Sequence, residues 1–170
     1  DDGYVNYLSD AAPSLARHGS TGTVFLVSDL IGKNNAWDYE KGDVEERLMT
    51  LDQISEARKM GADFGSHTLT HADLAAVDRD EAWRQIADSK SVLEQALGSR
   101  VDTFCYPYGR KTPEVEEMVR RAGYTLACST QKGLNTRHTD RFALRRINVR
   151  SDTLMPVFLY KLIRGARVAR

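Results

Sequence analysis

The chain has 170 residues, 41% hydrophobic and 28% charged, which is enough for one folded domain with a sizeable core. Lysine plus arginine and aspartate plus glutamate both number 24, so overall charge gives no ground for a nucleic-acid partner. No apolar run approaches the roughly 20 residues that span a bilayer.

Asp1-Asp2-Gly3 is a charged turn with no initiator methionine, so the sequence reads as cut from a longer one. Residues 4–19 read as a helix stopped by Gly19, with Pro13 either interrupting it or opening a second segment. Residues 21–31 are β-branched and aromatic and predict a buried strand. The polar stretch 32–43 reads as a loop, and Thr50 caps a helix over 50–61. A short strand at 62–67 leads to a long amphipathic helix over 79–98, closed by Gly98. The next strand, over 101–109, ends in a Pro/Gly turn, and a helix over 112–123 has Pro113 in its first turn. Strands at 124–130 and 142–149 precede a final helix over 151–166. From Arg137 onward nine basic residues stand against two acidic ones, read as a solvated basic face, with a contact to an anionic polymer or membrane surface as the alternative.

Strands alternating with helices of these lengths predict a parallel sheet with helices packed outside it. Periodicity leaves an α/β barrel and an open doubly wound sheet both available. Trp83 and Tyr160 fall in amphipathic helices and are expected in the core. Cys105 and Cys128 lie in apolar runs and read as small buried thiols, able to bridge only if their strands are neighbours. His18, just before Gly19, reads as a structural cation at a helix end.

Sites in α/β folds are built at the C-terminal ends of strands. Three such ends here carry reactive residues: Asp1-Asp2-Gly3, Ser66-His67-Thr68-Leu69-Thr70-His71, and Tyr106-Pro107-Tyr108-Gly109. On a helical turn, His67 and His71 would lie on one face and could share a cation; two exposed histidines at a helix start are the plainer alternative. A carboxylate added to two histidines gives three protein ligands with positions left open, the arrangement of a hydrolytic rather than a structural zinc site.

These three segments, in this order, resemble the first three motifs of the polysaccharide deacetylases, carbohydrate esterase family 4, also called the NodB-homology domain. The resemblance runs over nearly the whole chain, including Asn34-Asn35-Ala36-Trp37 and Leu144-Arg145-Arg146-Ile147-Asn148-Val149. It implies an α/β fold, an irregular (β/α) barrel of the NodB type with its first strand largely missing, as one catalytic domain over 1–170. It implies a divalent metal, most often Zn2+, on Asp2, His67 and His71, with Asp1 as general base and the Tyr108 backbone N–H stabilising an oxyanion. It implies an acetylated glycan as substrate and a cell-envelope or secreted location. Trp37 and Tyr39, in the polar loop, could stack on sugar rings or be partly buried in the core, and Tyr106 or Tyr108, flanking Pro107 at a strand end, is expected to contact substrate. N-deacetylation, O-deacetylation and a degenerate binding domain all remain compatible. Three departures stand out. Cys105 occupies the place of an arginine that orients the base, and the fourth motif's usual aspartate and tryptophan are not evident in 127–135. The last motif lacks its acid histidine, leaving His138 as the fallback.

Overall fold

The computed structural model describes residues 1–150 and 152–168, with side chains of the last helix described as far as Ile163. Its strands are β1 (Gly22–Leu26), β2 (Ala62–Ser66), β3 (Thr103–Cys105), β4 (Leu126–Lys132) and β5 (Leu144–Arg146). They form one all-parallel sheet in which spatial order equals chain order. The winding never reverses, so the switch point of a doubly wound sheet does not occur, and the sheet turns in the manner of an α/β barrel.

Val24, Phe25 and Leu26 are consecutive and all buried, as a parallel strand covered on both faces requires. The short helices α1 (Ala12–Arg17) and α2 (Ala36–Tyr39) precede three that cover the sheet: α3 (Leu51–Lys59), α4 (Arg79–Leu97) and α5 (Pro113–Arg121). Each turns an apolar stripe inward, Ile54 and Ala57 from α3, Ala82, Ile86 and Leu93 from α4, and Val115, Met118 and Val119 from α5. Thr50 starts α3 with a full capping box to Gln53. Gly98 ends α4 in the left-handed conformation, at φ 61°.

Several boundaries differ from the sequence reading. Pro13 does open a second segment: the turn before it, Tyr7–Ala11, is a π-helix, and α1 begins at Ala12. Proline has no N–H to give and its ring crowds the carbonyl of Ser9, so the preceding turn widens. The polar loop contains α2, and β5 is only three residues long. The last helix, α6, spans Met155–Val168; position 151, where the sequence reading begins it, lies outside the described residues. Trp83 and Tyr160 are not core residues, at 37% and 58% exposure. Trp83 sits at the margin of the α4 stripe, where the Arg121 guanidinium lies over its ring at 5.4 Å. Cys105 and Cys128 are register partners on neighbouring strands and both are free thiols. Burial pushes the Cys105 thiol up to about 12. Among the described residues no helix is long and apolar enough to cross a membrane.

The N-terminal turn ties the outer strands together. Gly3, at φ +88°, lies against β1, where an added Cβ would come within 2.8 Å of Leu26 Cδ2. Its carbonyl accepts from the Met49 N–H at 2.9 Å. On the other side, Asp1 Oδ1 accepts from Arg146 of β5 at 2.7 Å.

Candidate active site

His67 directly follows β2, and its N–H donates to the Leu26 carbonyl at 2.8 Å, continuing the parallel ladder by one residue. Its Nδ1 lies 2.7 Å from the buried Cys105 carbonyl on β3, so Nδ1 carries the hydrogen and donates. Nε2 is then left with its lone pair facing outward from the strand ends. His71 is not on a helix with His67, as the spacing alone suggested. Residues 68–70 form a tight turn, with Thr68 at φ 69° and His71 at φ 64°, closed by the His71 N–H donating to Thr68 Oγ1 at 3.0 Å. The two rings end 4.9 Å apart.

The turn is held from both sides. The Ser28 and Asp29 N–H groups donate to the Thr68 and Leu69 carbonyls at 3.1 and 3.0 Å. From α4, the buried Gln85 Oε1 accepts from the N–H groups of Leu69 and Thr70, both at 3.0 Å, while its Nε2 donates to Thr70 Oγ1 at 2.9 Å. Sequence reading missed Gln85. Its only signal is a polar residue in the apolar stripe between Ala82 and Leu93.

Asp2 completes the cluster. Its Oδ1 lies 3.3 Å from Nε2 of both His67 and His71, and these three side chains fall within one ligand-sized group. Burial alone would raise the Asp2 carboxyl, but the two facing imidazoles outweigh it and hold the group well below the usual carboxylate range. Burial keeps His71 below its ordinary value, hence neutral. Asp2 Oδ1 is buried yet receives no directed hydrogen bond. Two lone pairs and a carboxylate oxygen thus converge with nothing positive between them, an arrangement that fits a divalent cation with ligand distances of roughly 2.0–2.2 Å. A second grouping, Asp1 with His67 and Cys105, fits worse because the buried thiol resists ionisation and Asp1 Oδ1 is committed to Arg146. Asp2, Thr68, His71 and Tyr108 are the four non-glycine residues at positive φ among those described, and all four lie here. Strained backbone concentrates where a site has been built.

Beside the cluster opens a cleft of about 640 Å³ lined by Trp37, Lys41, His71, Asp73, Tyr108 and Arg110, among others. Trp37 and half-exposed Tyr108 therefore do face it. Tyr106 does not: it is fully buried, and its hydroxyl donates to the Phe142 carbonyl at 3.0 Å. Phe104 and Tyr106 are two residues apart on an extended segment and share its inward face. Pro107 is buried as well and shapes the turn that puts Tyr108 at φ 58°.

Residues 1–127 match the family model described as polysaccharide deacetylase. The chain belongs to the polysaccharide deacetylase family. YxkH of Bacillus subtilis (strain 168), named for the same family, is 27% identical over 149 residues, covering 88% of this chain and 49% of YxkH. The chain thus spans about half the length of the curated relative it matches. The fold recurs in the Streptococcus pyogenes deacetylase PplD, solved with acetate, at a TM-score of 0.81 and 24% identity over 95% of this chain and 67% of that one. It recurs in a polysaccharide deacetylase from Bacillus cereus at 0.77 and 22%, over 95% and 49%. This is the NodB-type barrel-like fold that the motifs implied.

The chain departs from its family's pattern, and for one departure the geometry supplies a substitute. Cys105 stands where an arginine would orient Asp1, but Arg146 from β5 reaches that aspartate instead, with its Nε donating to the Ser129 carbonyl at 2.9 Å. His138 is exposed in the connection between β4 and β5 and accepts from Arg137 Nε at 3.1 Å; no described contact joins it to Asp1, Asp2, His67 or His71. His18 closes α1, with Nδ1 2.8 Å from the Ser14 carbonyl, as expected of a structural histidine.

Proposed function

We propose that this polysaccharide deacetylase removes N-acetyl groups from an amino-sugar polymer or oligomer, with a divalent cation, zinc, held by Asp2, His67 and His71. The observation that carries this reading is the convergence of three acceptor atoms beside an arginine-held aspartate, at the edge of an open cleft. A cation bound there polarises an amide carbonyl and acidifies water enough for it to lose a proton near neutral pH.

Arg146 occupies Oδ1 of Asp1, so Oδ2 is the atom that takes the proton from the attacking water. The water oxygen adds to the acetyl carbon, the C–N bond breaks, and acetate leaves with the new C–O bond. The departing nitrogen needs a proton as it becomes an amine. With His138 turned to Arg137, that proton comes back from Asp1, which acts first as base and then as acid. The Tyr108 N–H, in its left-handed turn, supplies a fixed donor for charge on the carbonyl oxygen. The cleft beside His71 receives the sugar, with Trp37 and Tyr108 as its aromatic walls.

Acetate release from an N-acetylglucosamine oligomer tests this, using the full-length protein stripped of metal and then reconstituted with zinc. The expected result is zinc-dependent release, lost in His67→Ala and reduced at least about a hundredfold in Asp1→Asn. Zinc binding without any acetate from the oligomer would overturn the reading. Release confined to an O-acetylated glycan such as xylan would make the protein an esterase with the same machinery.

A further inference from the structure

A metal-bound imidazole ordinarily donates its second ring N–H to an acceptor that fixes its tautomer and its tilt. His67 has one in the Cys105 carbonyl. His71 does not: its Nδ1 is buried and has no hydrogen-bond partner. What surrounds the His71 ring is aromatic. Trp37 stacks on one face, with centroids 4.4 Å apart and planes 21° from parallel, and Tyr108 meets the ring edge-on at 4.8 Å and 81°.

Trp37 is itself held by a built loop. Asn35, buried just before it, accepts the Glu46 N–H on its side-chain oxygen at 2.8 Å and donates to the Val44 carbonyl at 3.0 Å. The same segment bridges back through Asn34 and Arg47. Trp37 Nε1 is buried without a partner, so no hydrogen bond of its own competes for the orientation of the indole. The loop presents the indole face to His71, where a sugar-stacking residue would keep that face for substrate.

From this geometry we infer that Trp37 is a positioning residue for the cation ligand His71, replacing by stacking the hydrogen bond that His67 receives from the strand. The inference rests on the reading that Asp2, His67 and His71 hold a cation. An imidazole that coordinates a cation is electron-poor, and the negative face of an indole attracts an electron-poor ring more than a neutral one. The stack therefore strengthens when the cation binds and should raise the affinity of the site. Trp37 also lines the cleft, so the two tasks of holding the ligand and bounding the substrate fall on one side chain.

The experiment is zinc affinity by competition with a chromophoric chelator, together with the visible spectrum of the cobalt(II)-substituted protein. It compares the parent, Trp37→Phe, Trp37→Leu and His67→Ala, each checked for folding by circular dichroism. Leucine fills space without a π face, whereas phenylalanine keeps one. Expected is a loss of roughly 10- to 100-fold in zinc affinity for Trp37→Leu with an altered cobalt spectrum, and recovery of most of it in Trp37→Phe. Parent affinity and an unchanged spectrum in Trp37→Leu, with His67→Ala defective, would overturn the role of Trp37 alone. Parent affinity in His67→Ala would overturn the cation site and this inference with it. Equal losses in Trp37→Phe and Trp37→Leu would overturn it too, since stacking would then not be the cause.

Discussion

His67 and His71 bring their Nε2 atoms to the same Asp2 oxygen on two different kinds of support. His67 extends a strand, donates its backbone N–H to β1 and its ring N–H to β3, the strand that carries the fully buried Phe104 and leads into the equally buried Tyr106. His71 hangs from a strained turn that one α4 side chain and two β1-proximal amides hold in place, and aromatic rings steady its imidazole. The first support belongs to the sheet and cannot shift without unfolding. The second is local, so it can be loosened, or adjusted by substitution, while the sheet stands.

This contrast can be broken by damaging each side separately. Phe104→Ala opens a cavity between Tyr106 and Tyr124, whose rings lie 5.3 and 5.1 Å from it. It should cost about 3–5 kcal/mol in urea or thermal melts, while the fraction still folded binds zinc close to normally. Gln85→Leu strands two N–H groups on the His71 turn, the buried one of Leu69 and the half-buried one of Thr70. Its expected cost is about 2 kcal/mol or more, with zinc affinity falling alongside. If Phe104→Ala weakened zinc binding and Gln85→Leu did not, the two supports would have been assigned the wrong way round.

The smallest expected effect is on pH dependence. Burial holds folded His71 below its ordinary 6.5, so unfolding lets it gain a proton. Its contribution to the stability of the zinc-free protein is present above pH 6.5 and is lost as pH falls from there toward the depressed folded value. Asp2 acts in the same direction in a more acidic window, below its ordinary 3.8. Melting curves of the zinc-free protein should lose at most about 1.4 kcal/mol per pH unit from His71 below neutrality. His71→Gln should flatten that slope, and an unchanged slope would show that His71 titrates freely.

Much of this was legible in the sequence, for identifiable reasons. Asp2, His67 and His71 stand out because reactive residues follow short apolar runs, and their order matches a family pattern. The strands and the main helices follow from apolar periodicity, Thr50 and Gly98 from capping chemistry. What could not be read is whatever depends on backbone handedness or on distance through space. A spacing of four suits a helix and a left-handed turn alike, so the true geometry around Thr68 was hidden. Arg146 orienting Asp1 joins residues 145 positions apart and leaves no local trace. Trp83 shows how an amphipathic stripe locates a helix face but not its margin, and Tyr106 how a strand's inward alternation can continue past its last regular residue.

That long-range pair has a bearing on how the protein comes into being. Asp2, His67 and His71, the Gly3 contact to β1 and the acceptor behind His67 all lie at or before residue 105. Arg146 arrives only with β5, the outermost strand of a sheet whose neighbours in space are neighbours along the chain. Under the proposed function, the side chains that hold the cation can therefore assemble in a growing or refolding polypeptide while Asp1 is still unaimed. Loading and turnover would then be separate milestones of maturation.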